Sequence, residues 1–377
     1  MNEKTSALYS EYVIDGIQRD LTPARMLDAC VAGTPAQTPA PAGPFDPVVD
    51  ETIDPALKPC VTDPSEIGTY LRKVKGLRTR VFPTAFPETY TKSHIAFALI
   101  DAIWKRGHFR LDDLALDLKW TLAEPKIGDM TAFYASVASA ADYIDSLDLK
   151  ISHYSCVEGA GATDICVKPV IGSTSYDEDF DEDSYADGPS LRSQNLHPTK
   201  LVADKQSWVL YIPFENSDYR LGASLLAQVL GVSGAVAPQI LDPDYFIDCY
   251  EVVRELVEDR IILSGVTVGE GGLVAALKRM AGPRTGVTVD LADLVRATGE
   301  KDIVRLLFSE VPGALIQISD IDYDYVDAEL LLQDVAYFPL GHPAPGVPGV
   351  TVQASDKSAI QTILESLINS QSSEGED

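Results

Sequence analysis

The stretch that decides the fold lies near the middle of the chain. The apolar run Trp208–Phe214 (WVLYIPF) is followed closely by Arg220–Gln228 (RLGASLLAQ). The apolar run predicts a strand over Trp208–Pro213, and the segment after it predicts a helix over Ser224–Leu230. Gly222 and Ala223 allow the backbone to pack closely where a strand turns into a helix. This arrangement is typical of a layered fold in which strands and helices alternate.

Two later segments repeat the pattern. Ile261–Leu277 (IILSGVTVGEGGLVAAL) indicates a strand, a glycine-containing turn over Gly265–Gly272 and a helix over Gly272–Met280. Leu306–Ile318 (LLFSEVPGALIQI) leads into a strand over Ala314–Ile318. Strands interleaved with helices over most of the chain predict an α+β fold.

Hydrophobic spacing places further elements on both sides of these segments. Upstream, it predicts helices over Thr91–Trp104 and Ala132–Leu147, and strands over Leu114–Trp120, Leu149–Tyr154 and Cys166–Ser173. Downstream, it predicts helices over Asp244–Asp259, Ala292–Thr298 and Tyr323–Leu332, and strands over Gly286–Leu291 and Val335–Leu340. Leu8, Val13, Ile17 and Leu21 are spaced as in a short N-terminal helix.

Composition divides the 377 residues into four parts. Residues 1–64 are expected to form an N-terminal helix and a Pro/Ala-rich arm, because the prolines of Gly33–Pro55 cannot build a packed core. Residues 65–205 are expected to form an N-terminal lobe and 206–347 a C-terminal lobe. Residues 348–377 are expected to hold a helix over Lys357–Ile368 and an acidic tail.

The charge balance limits the partners. Lys plus Arg is 30 and Asp plus Glu is 57, which gives a net charge of -27. Such a surface repels nucleic acid and anionic lipid, so neither is expected as a partner. An anionic substrate would need Mg²⁺ or a local basic pocket. The basic residues between Arg72 and Arg80 are one place where an anion could bind, although such clusters are commonly solvated helix faces.

Other features indicate no chemistry of their own. The five cysteines are odd in number and contain no CxxC pair, which fits reduced thiols in the cytoplasm. The N-terminal residues have no signal-peptide core, and no apolar run approaches the roughly 18 residues of a membrane span. A soluble cytoplasmic protein is expected. The acidic, tyrosine-rich segment 175–188 is interpreted as an open loop, with hard-cation binding as the alternative.

The three central segments carry a family resemblance. RLGASLLAQ resembles the RLGGSxLAQ segment of phosphoribosylformylglycinamidine synthases, in the second synthetase module. Ile261–Leu277 resembles the strand, His-Asp-x-Ser-Asp-Gly-Gly-Leu and helix of that family, and Gly271, Gly272 and Leu273 match it. Four other positions of this signature differ from the family: Val266, Thr267, Gly269 and Glu270. Glu310 stands where the family has the acidic residue of its LFxE segment.

The resemblance implies a two-lobed synthetase-like module. Its N-terminal lobe sheet would form a shared barrel on dimerisation, and its C-terminal lobe sheet would be covered by helices. A homodimer, or pairing with a separately encoded synthase module, is therefore expected. If the family's site is retained, it would use Mg²⁺ and ATP. Glu270 and Glu310 would then bind the metal, and Arg220, Gly271 and Gly272 would bind the nucleotide or its phosphate.

Two functions remain as hypotheses. The first is a non-catalytic dimerising scaffold or interaction protein, because most of the family's metal-organising groups are replaced. The family's Lys-Asp pair is also absent from Ile151–Cys156. The second is an ATP-dependent amidoligase of purine biosynthesis, converting formylglycinamide ribonucleotide to the amidine alone or with a partner subunit. A structural or viral protein that uses the same fold is a third interpretation.

Overall fold

The computed structural model describes residues 6–34, 82–106, 109–123, 128–159, 162–171, 197–230 and 237–353. These residues form two compact units. Unit 1 contains the described residues up to 99 and those of 109–171, and unit 2 contains 100–106 and those from 197 onwards. Four features interpreted from the sequence lie outside the described residues: most of the proline-rich arm, the basic cluster 72–80, the acidic loop 175–188 and the C-terminal helix 357–368.

The N-terminal segment begins with a hairpin. Strands β1 (Val13–Ile14) and β2 (Ile17–Gln18) pair antiparallel. The helical interpretation of the apolar residues from Leu8 to Leu21 is therefore wrong. The reason is the Asp15-Gly16 pair, whose two residues have positive φ values, as a two-residue hairpin turn requires.

A helix, α1 (Pro23–Ala32), follows the hairpin. The side chain of Thr22 accepts a hydrogen bond from the backbone nitrogen of Arg25, and Gly33 ends the helix in the left-handed conformation. This segment packs within unit 1: the Cys30 thiol lies 3.6 Å from the carbonyl oxygen of Ala141. The residues 6–34 are thus part of the folded body of unit 1.

The rest of unit 1 is a three-stranded sheet with helices. Its elements are α2 (Pro87–Arg106, of which the residues after Leu99 belong to unit 2), β3 (Leu114–Leu122), α3 (Asp129–Ser146), β4 (Lys150–Glu158) and β5 (Asp164–Ile171). β3 lies in the middle, parallel to β4 and antiparallel to β5. The side chains of β3 alternate: Leu118 and Trp120 are buried and Lys119 is exposed. Trp120 donates to Ser136 of α3 at 2.9 Å, so α3 covers this face.

Unit 2 is built on a mixed six-stranded sheet with the order β11-β8-β10-β6-β9-β7. Its strands are β6 (Trp208–Pro213), β7 (Ile262–Val268), β8 (Thr285–Asp290), β9 (Gly313–Ile318), β10 (Phe338–Pro345) and β11 (Val350–Gln353). Its helices are α4 (Leu225–Leu230), α5 (Pro243–Glu258), α6 (Gly272–Met280), α7 (Ala292–Thr298), α8 (Ile303–Phe308) and α9 (Tyr323–Leu332). Within this sheet β11 and β8 pair in parallel, and the other described neighbours pair antiparallel.

The core of unit 2 confirms the α+β class. Every residue of β9 is buried, and β9 pairs antiparallel with β6 and β7. The sequence predicted the bounds of β6, α6, α7 and α9 correctly. No helix among the described residues is long and apolar enough to cross a membrane.

In unit 2, a predicted turn and a predicted strand are placed differently by the structure. Gly265 lies inside β7, so the turn before α6 is limited to residues 269–271. The strand predicted over Val335–Leu340 is β10, which begins at Phe338 and continues to Pro345. In the pairing of β10 with β6 the register shifts between Pro339 and Gly341, and this bulge lets proline stand in an interior strand.

Candidate functional site

The three central segments of the sequence meet at Glu310. Its Oε1 atom accepts hydrogen bonds from the backbone nitrogens of Leu225, at 2.8 Å, and of Gly271, at 2.9 Å. The residue is only 6% exposed. Because the first N–H groups of a helix have no partner within the helix, a carboxylate placed there is stabilised by hydrogen bonds and by the helix dipole. Glu310 therefore holds together the starts of α4 and α6.

The glycine pair has a clear structural role at the same place. Gly271 and Gly272 have φ values of +78° and +70°. A Cβ atom at Gly272 would lie 2.7 Å from the carbonyl oxygen of Leu307 and 2.8 Å from that of Ser309. The turn into α6 can thus approach the end of α8 only when this residue is a glycine.

Arg220 connects with the site through its backbone. The Ser309 hydroxyl donates to the carbonyl oxygen of Arg220 at 2.7 Å. The guanidinium of Arg220 lies elsewhere, where it pairs with Asp218 at 3.1 Å and lines a cleft of about 480 Å³. Gly271 and Gly272 are not among the residues that line this cleft.

The Arg220 cleft contains polar residues that the sequence did not single out. Arg305 lines it and pairs with Glu300 at 3.1 Å. Glu215 also lines it, and its Oε2 accepts from the backbone nitrogens of Leu241 and Asp242 just before α5. These residues come from distant parts of the chain, and no local motif marks them.

Burial of Glu215 has an electrostatic consequence. Desolvation raises the pKa of its carboxyl from the ordinary value of 4.5, and the hydrogen bonds from the backbone of Asp242 and Leu241 oppose this rise only in part. The carboxyl thus keeps a proton to a higher pH in the folded chain than in water.

The end of β7 is filled by packing contacts at the positions where the family has His-Asp. Val266 is 4% exposed and belongs to the hydrophobic core of unit 2. The Thr267 hydroxyl donates to Oδ1 of Asp101 at 2.7 Å and accepts from the indole nitrogen of Trp104 at 3.2 Å. Arg279 donates to the carbonyl oxygen of Thr267. The side chain and carbonyl of Thr267 are therefore both engaged within unit 2.

Trp104 also explains the glycine inside β7. A Cβ atom at Gly265 would lie 2.4 Å from the Trp104 ring. Glycine is the residue that lets an indole lie flat against the strand backbone. Both contacts of Trp104 fix the C-terminal part of α2 on β7.

The two predicted metal ligands have different surroundings. Glu270 is exposed in the turn before α6, whereas Glu310 is buried with one oxygen bound by two N–H groups. Among the residues that the structure describes, no group of three or more His, Cys, Asp or Glu side chains is placed to hold a metal ion.

Comparison with known proteins finds relatives of one type. No family model matches the chain. Human phosphoribosylformylglycinamidine synthase is 28% identical over 178 residues, which is 47% of this chain and 13% of that protein. A probable phosphoribosylformylglycinamidine synthase of Arabidopsis thaliana is 24% identical over 251 residues, which is 66% of this chain and 17% of that protein. The chain thus corresponds to less than a fifth of either relative's length.

Solved structures give weaker similarity. The structure of T. maritima PurL complexed with ATP has a TM-score of 0.49 at 12% identity. The superposed region covers 72% of this chain and 40% of the PurL chain. E. coli HypE, a hydrogenase maturation protein, has a TM-score of 0.43 at 15% identity. The superposed region covers 70% of this chain and 76% of the HypE chain.

The structure shows the architecture of the chain, and the curated relatives show what it is similar to. It is an α+β chain of two units. In unit 2, Glu310 and the glycine pair at 271–272 join the start of α4, which follows β6, to the start of α6, which follows β7. The chain is similar to part of phosphoribosylformylglycinamidine synthases, at low identity.

Proposed function

We propose that the chain is a non-catalytic module that pairs with a second copy of itself, or with a separately encoded synthase module, as a scaffold. The observation that carries this proposal is Thr267. Where the family has an aspartate, this threonine bridges Asp101 and Trp104 inside unit 2. The hydroxyl donates to one of these groups and accepts from the other, and a neutral hydroxyl is a weaker ligand for a hard cation than the carboxylate of the family.

Glu310 supports the same function. A carboxylate that binds Mg²⁺ shares its oxygens with the cation. Here Oε1 accepts from the backbone of both Leu225 and Gly271. The residue thus has a structural reason to be present whether or not the chain binds a metal.

Pairing through unit 1 is supported by its sheet. On β3, Lys119 is exposed and lies between Ser155 of β4 and Cys166 of β5, on the face opposite to Trp120. Val157, one register step along this face, is 39% exposed. A second such sheet placed against this face would bury it, as the predicted shared barrel requires.

The alternative is an ATP-dependent amidoligase of purine biosynthesis. Mg²⁺ and ATP would be held by Glu270, Glu310 and the turn at Gly271 and Gly272, and a phosphorylated amide oxygen would be displaced by ammonia from an external source. The observation in its favour is that Arg220 and Arg305 line one cleft. Two guanidinium groups are a suitable environment for a phosphate.

Nucleotide binding distinguishes the two functions. The full chain is titrated with ATP in the presence of Mg²⁺, and its thermal unfolding is recorded. A scaffold shows no saturable rise in Tm. A rise with a micromolar midpoint that is lost in Glu270→Gln, which changes an exposed residue, overturns the non-catalytic proposal.

Pairing is measured separately by light scattering coupled to gel filtration. We expect a dimer that Lys119→Glu combined with Val157→Asp converts to a monomer with an unchanged circular dichroism spectrum. Elution of the unaltered chain as a monomer over the micromolar range contradicts self-pairing. A mixture with a candidate partner module then tests the second form of the proposal.

A further inference from the structure

Unit 2 has a second cleft that shares no residue with the Arg220 cleft. It has a volume of about 470 Å³ and lies beside the start of β6 and the middle of β10. Its walls are aromatic, proline and acidic residues: Trp208, Tyr323, His342, Pro339, Asp290 and Asp293. None of them belongs to the segments that resemble the synthase signature.

The aromatic side chains form an ordered cluster. The ring centre of Trp208 lies 4.1 Å from that of His342 and 5.2 Å from that of Tyr323, with tilted ring planes. The indole nitrogen donates to Asp320 at 2.8 Å. His342 Nδ1 lies 2.9 Å from the carbonyl oxygen of Ser207, and because a carbonyl only accepts, Nδ1 donates. Both rings are thus fixed through hydrogen bonds at their edges.

The backbone at this place is also unusual. The register of β10 against β6 shifts between Pro339 and Gly341, and Gly341 has a φ of +141°. A Cβ atom at Gly341 would lie 2.2 Å from the carbonyl oxygen of Thr288. Bulges of this kind redirect the side chains that follow them and are frequent beside binding sites. Here the residue that follows is His342.

The charge of the cleft is negative. Asp290 and Asp293 are exposed at its rim, where β8 leads into α7. One oxygen of Asp290 accepts from the backbone of Ala292, and Asp293 pairs with the exposed Arg296. No Lys or Arg side chain is among the described residues that line the cleft. A phosphate or carboxylate ligand would therefore find no counter-charge here.

We propose that this cleft binds a small organic cation with a planar guanidinium group. A guanidinium stacks on aromatic faces and also pairs with a carboxylate through two parallel hydrogen bonds. The cleft supplies both, with Trp208 and His342 as the stacking surface and Asp290 as the carboxylate. The net charge of -27 adds an attraction for cations at longer range. This site is independent of whether the chain is a scaffold or an enzyme.

Tryptophan fluorescence reports on this cleft selectively. The chain has three tryptophans, and Trp104 and Trp120 are 2% and 1% exposed, whereas Trp208 is half-buried at the cleft. The full chain is titrated with butylguanidine, and with butylurea as the neutral analogue of the same shape. We expect a saturable change in emission with butylguanidine, weakened by added salt because the carboxylates are exposed.

Variants and controls make the test decisive. Asp290→Asn together with Asp293→Asn should weaken butylguanidine binding about tenfold, a change in line with the loss of one or two charge contacts. Asp218→Asn, at the rim of the other cleft, should leave it unchanged. Equal binding of butylurea, binding that the paired asparagine variant does not weaken, or no saturable change at millimolar butylguanidine each overturns the proposal.

Discussion

Oε1 of Glu310 lies 2.9 Å from the backbone nitrogen of Gly271, and the same oxygen also accepts from the backbone of Leu225. One buried atom thereby joins the helix after β6, the turn after β7 and the segment before β9. The bonds are charge-assisted, so they are stronger than hydrogen bonds between neutral groups.

The first prediction concerns this atom. Glu310→Ala leaves two half-buried N–H groups without their acceptor and should lower the free energy of unfolding by about 2–4 kcal/mol. Glu310→Gln should lower it by less than half as much, because an amide oxygen can still accept both bonds. Urea unfolding measures the difference. Glu270→Ala, in the exposed turn, serves as the control and should change it by no more than about 0.5 kcal/mol. Equal losses in Glu310→Ala and Glu310→Gln would show that the negative charge, not the acceptor, is what matters.

The second prediction separates packing from backbone conformation. Gly272 and Gly299 have almost the same φ, +70° and +69°, but only Gly272 has backbone atoms where a Cβ would stand. Gly299→Ala should therefore lower the free energy of unfolding by about 1 kcal/mol, from conformation alone. Gly272→Ala should lower it by about 2–4 kcal/mol, because the overlap with Leu307 adds to that cost. If urea unfolding gives equal losses for both, the close approach is relieved by movement of α8.

The third prediction restores the family's acidic residue. In Thr267→Asp a second carboxylate would face Oδ1 of Asp101, which lies 2.7 Å from the present hydroxyl. Like charges at this distance in a partly buried place should lower the free energy of unfolding by about 2–4 kcal/mol at neutral pH. Asp101→Asn in the same chain should recover most of the loss. A double-mutant cycle measures the coupling, and additive losses would contradict the repulsion.

The fourth prediction is a pH dependence. Because the pKa of Glu215 is raised in the folded chain, the folded state binds this proton at pH values where the unfolded state has lost it. Its contribution to stability is therefore largest below the ordinary pKa of 4.5, falls as the pH rises toward the raised pKa and is constant above it. Glu215→Gln should remove this fall while its amide oxygen keeps the bonds to Leu241 and Asp242. The difference in unfolding free energy between the two proteins, measured from pH 4 upward, should favour the variant increasingly and then level off. A difference that does not change with pH contradicts the raised pKa.

The sequence predicted elements best where local chemistry defines both ends. Tyr323–Leu332 and Gly272–Met280 were predicted with their observed bounds, and so was the strand Trp208–Pro213. The N-terminal hairpin was missed because helical spacing of apolar residues took precedence over the Asp-Gly turn at 15–16. The predicted bounds of β10 were too close to the N-terminus because three residues of this strand are prolines, which local rules exclude from an interior strand.

The sequence predicted only those features of the site that depend on residues close together along the chain. The glycine pair at 271–272 was identified from the sequence, and the structure places Gly272 close to the backbone of Leu307 and Ser309. The partner of Thr267 stands 166 residues before it, and no pattern within a short window connects such residues. That Arg305 and Arg220 line one cleft likewise depends on how distant parts of the chain are brought together in the fold.

The indole that packs on Gly265 belongs to Trp104. This residue stands 163 residues before Thr267, the threonine to which the indole donates. Recombination with a relative at any point between Trp104 and Thr267 would pack β7 against a helix from the other parent. Without the tryptophan ring, Gly265 would face an unfilled space. The stretches 100–106 and 262–268 therefore have to be inherited together. A chimaera with a relative should take both from the same parent.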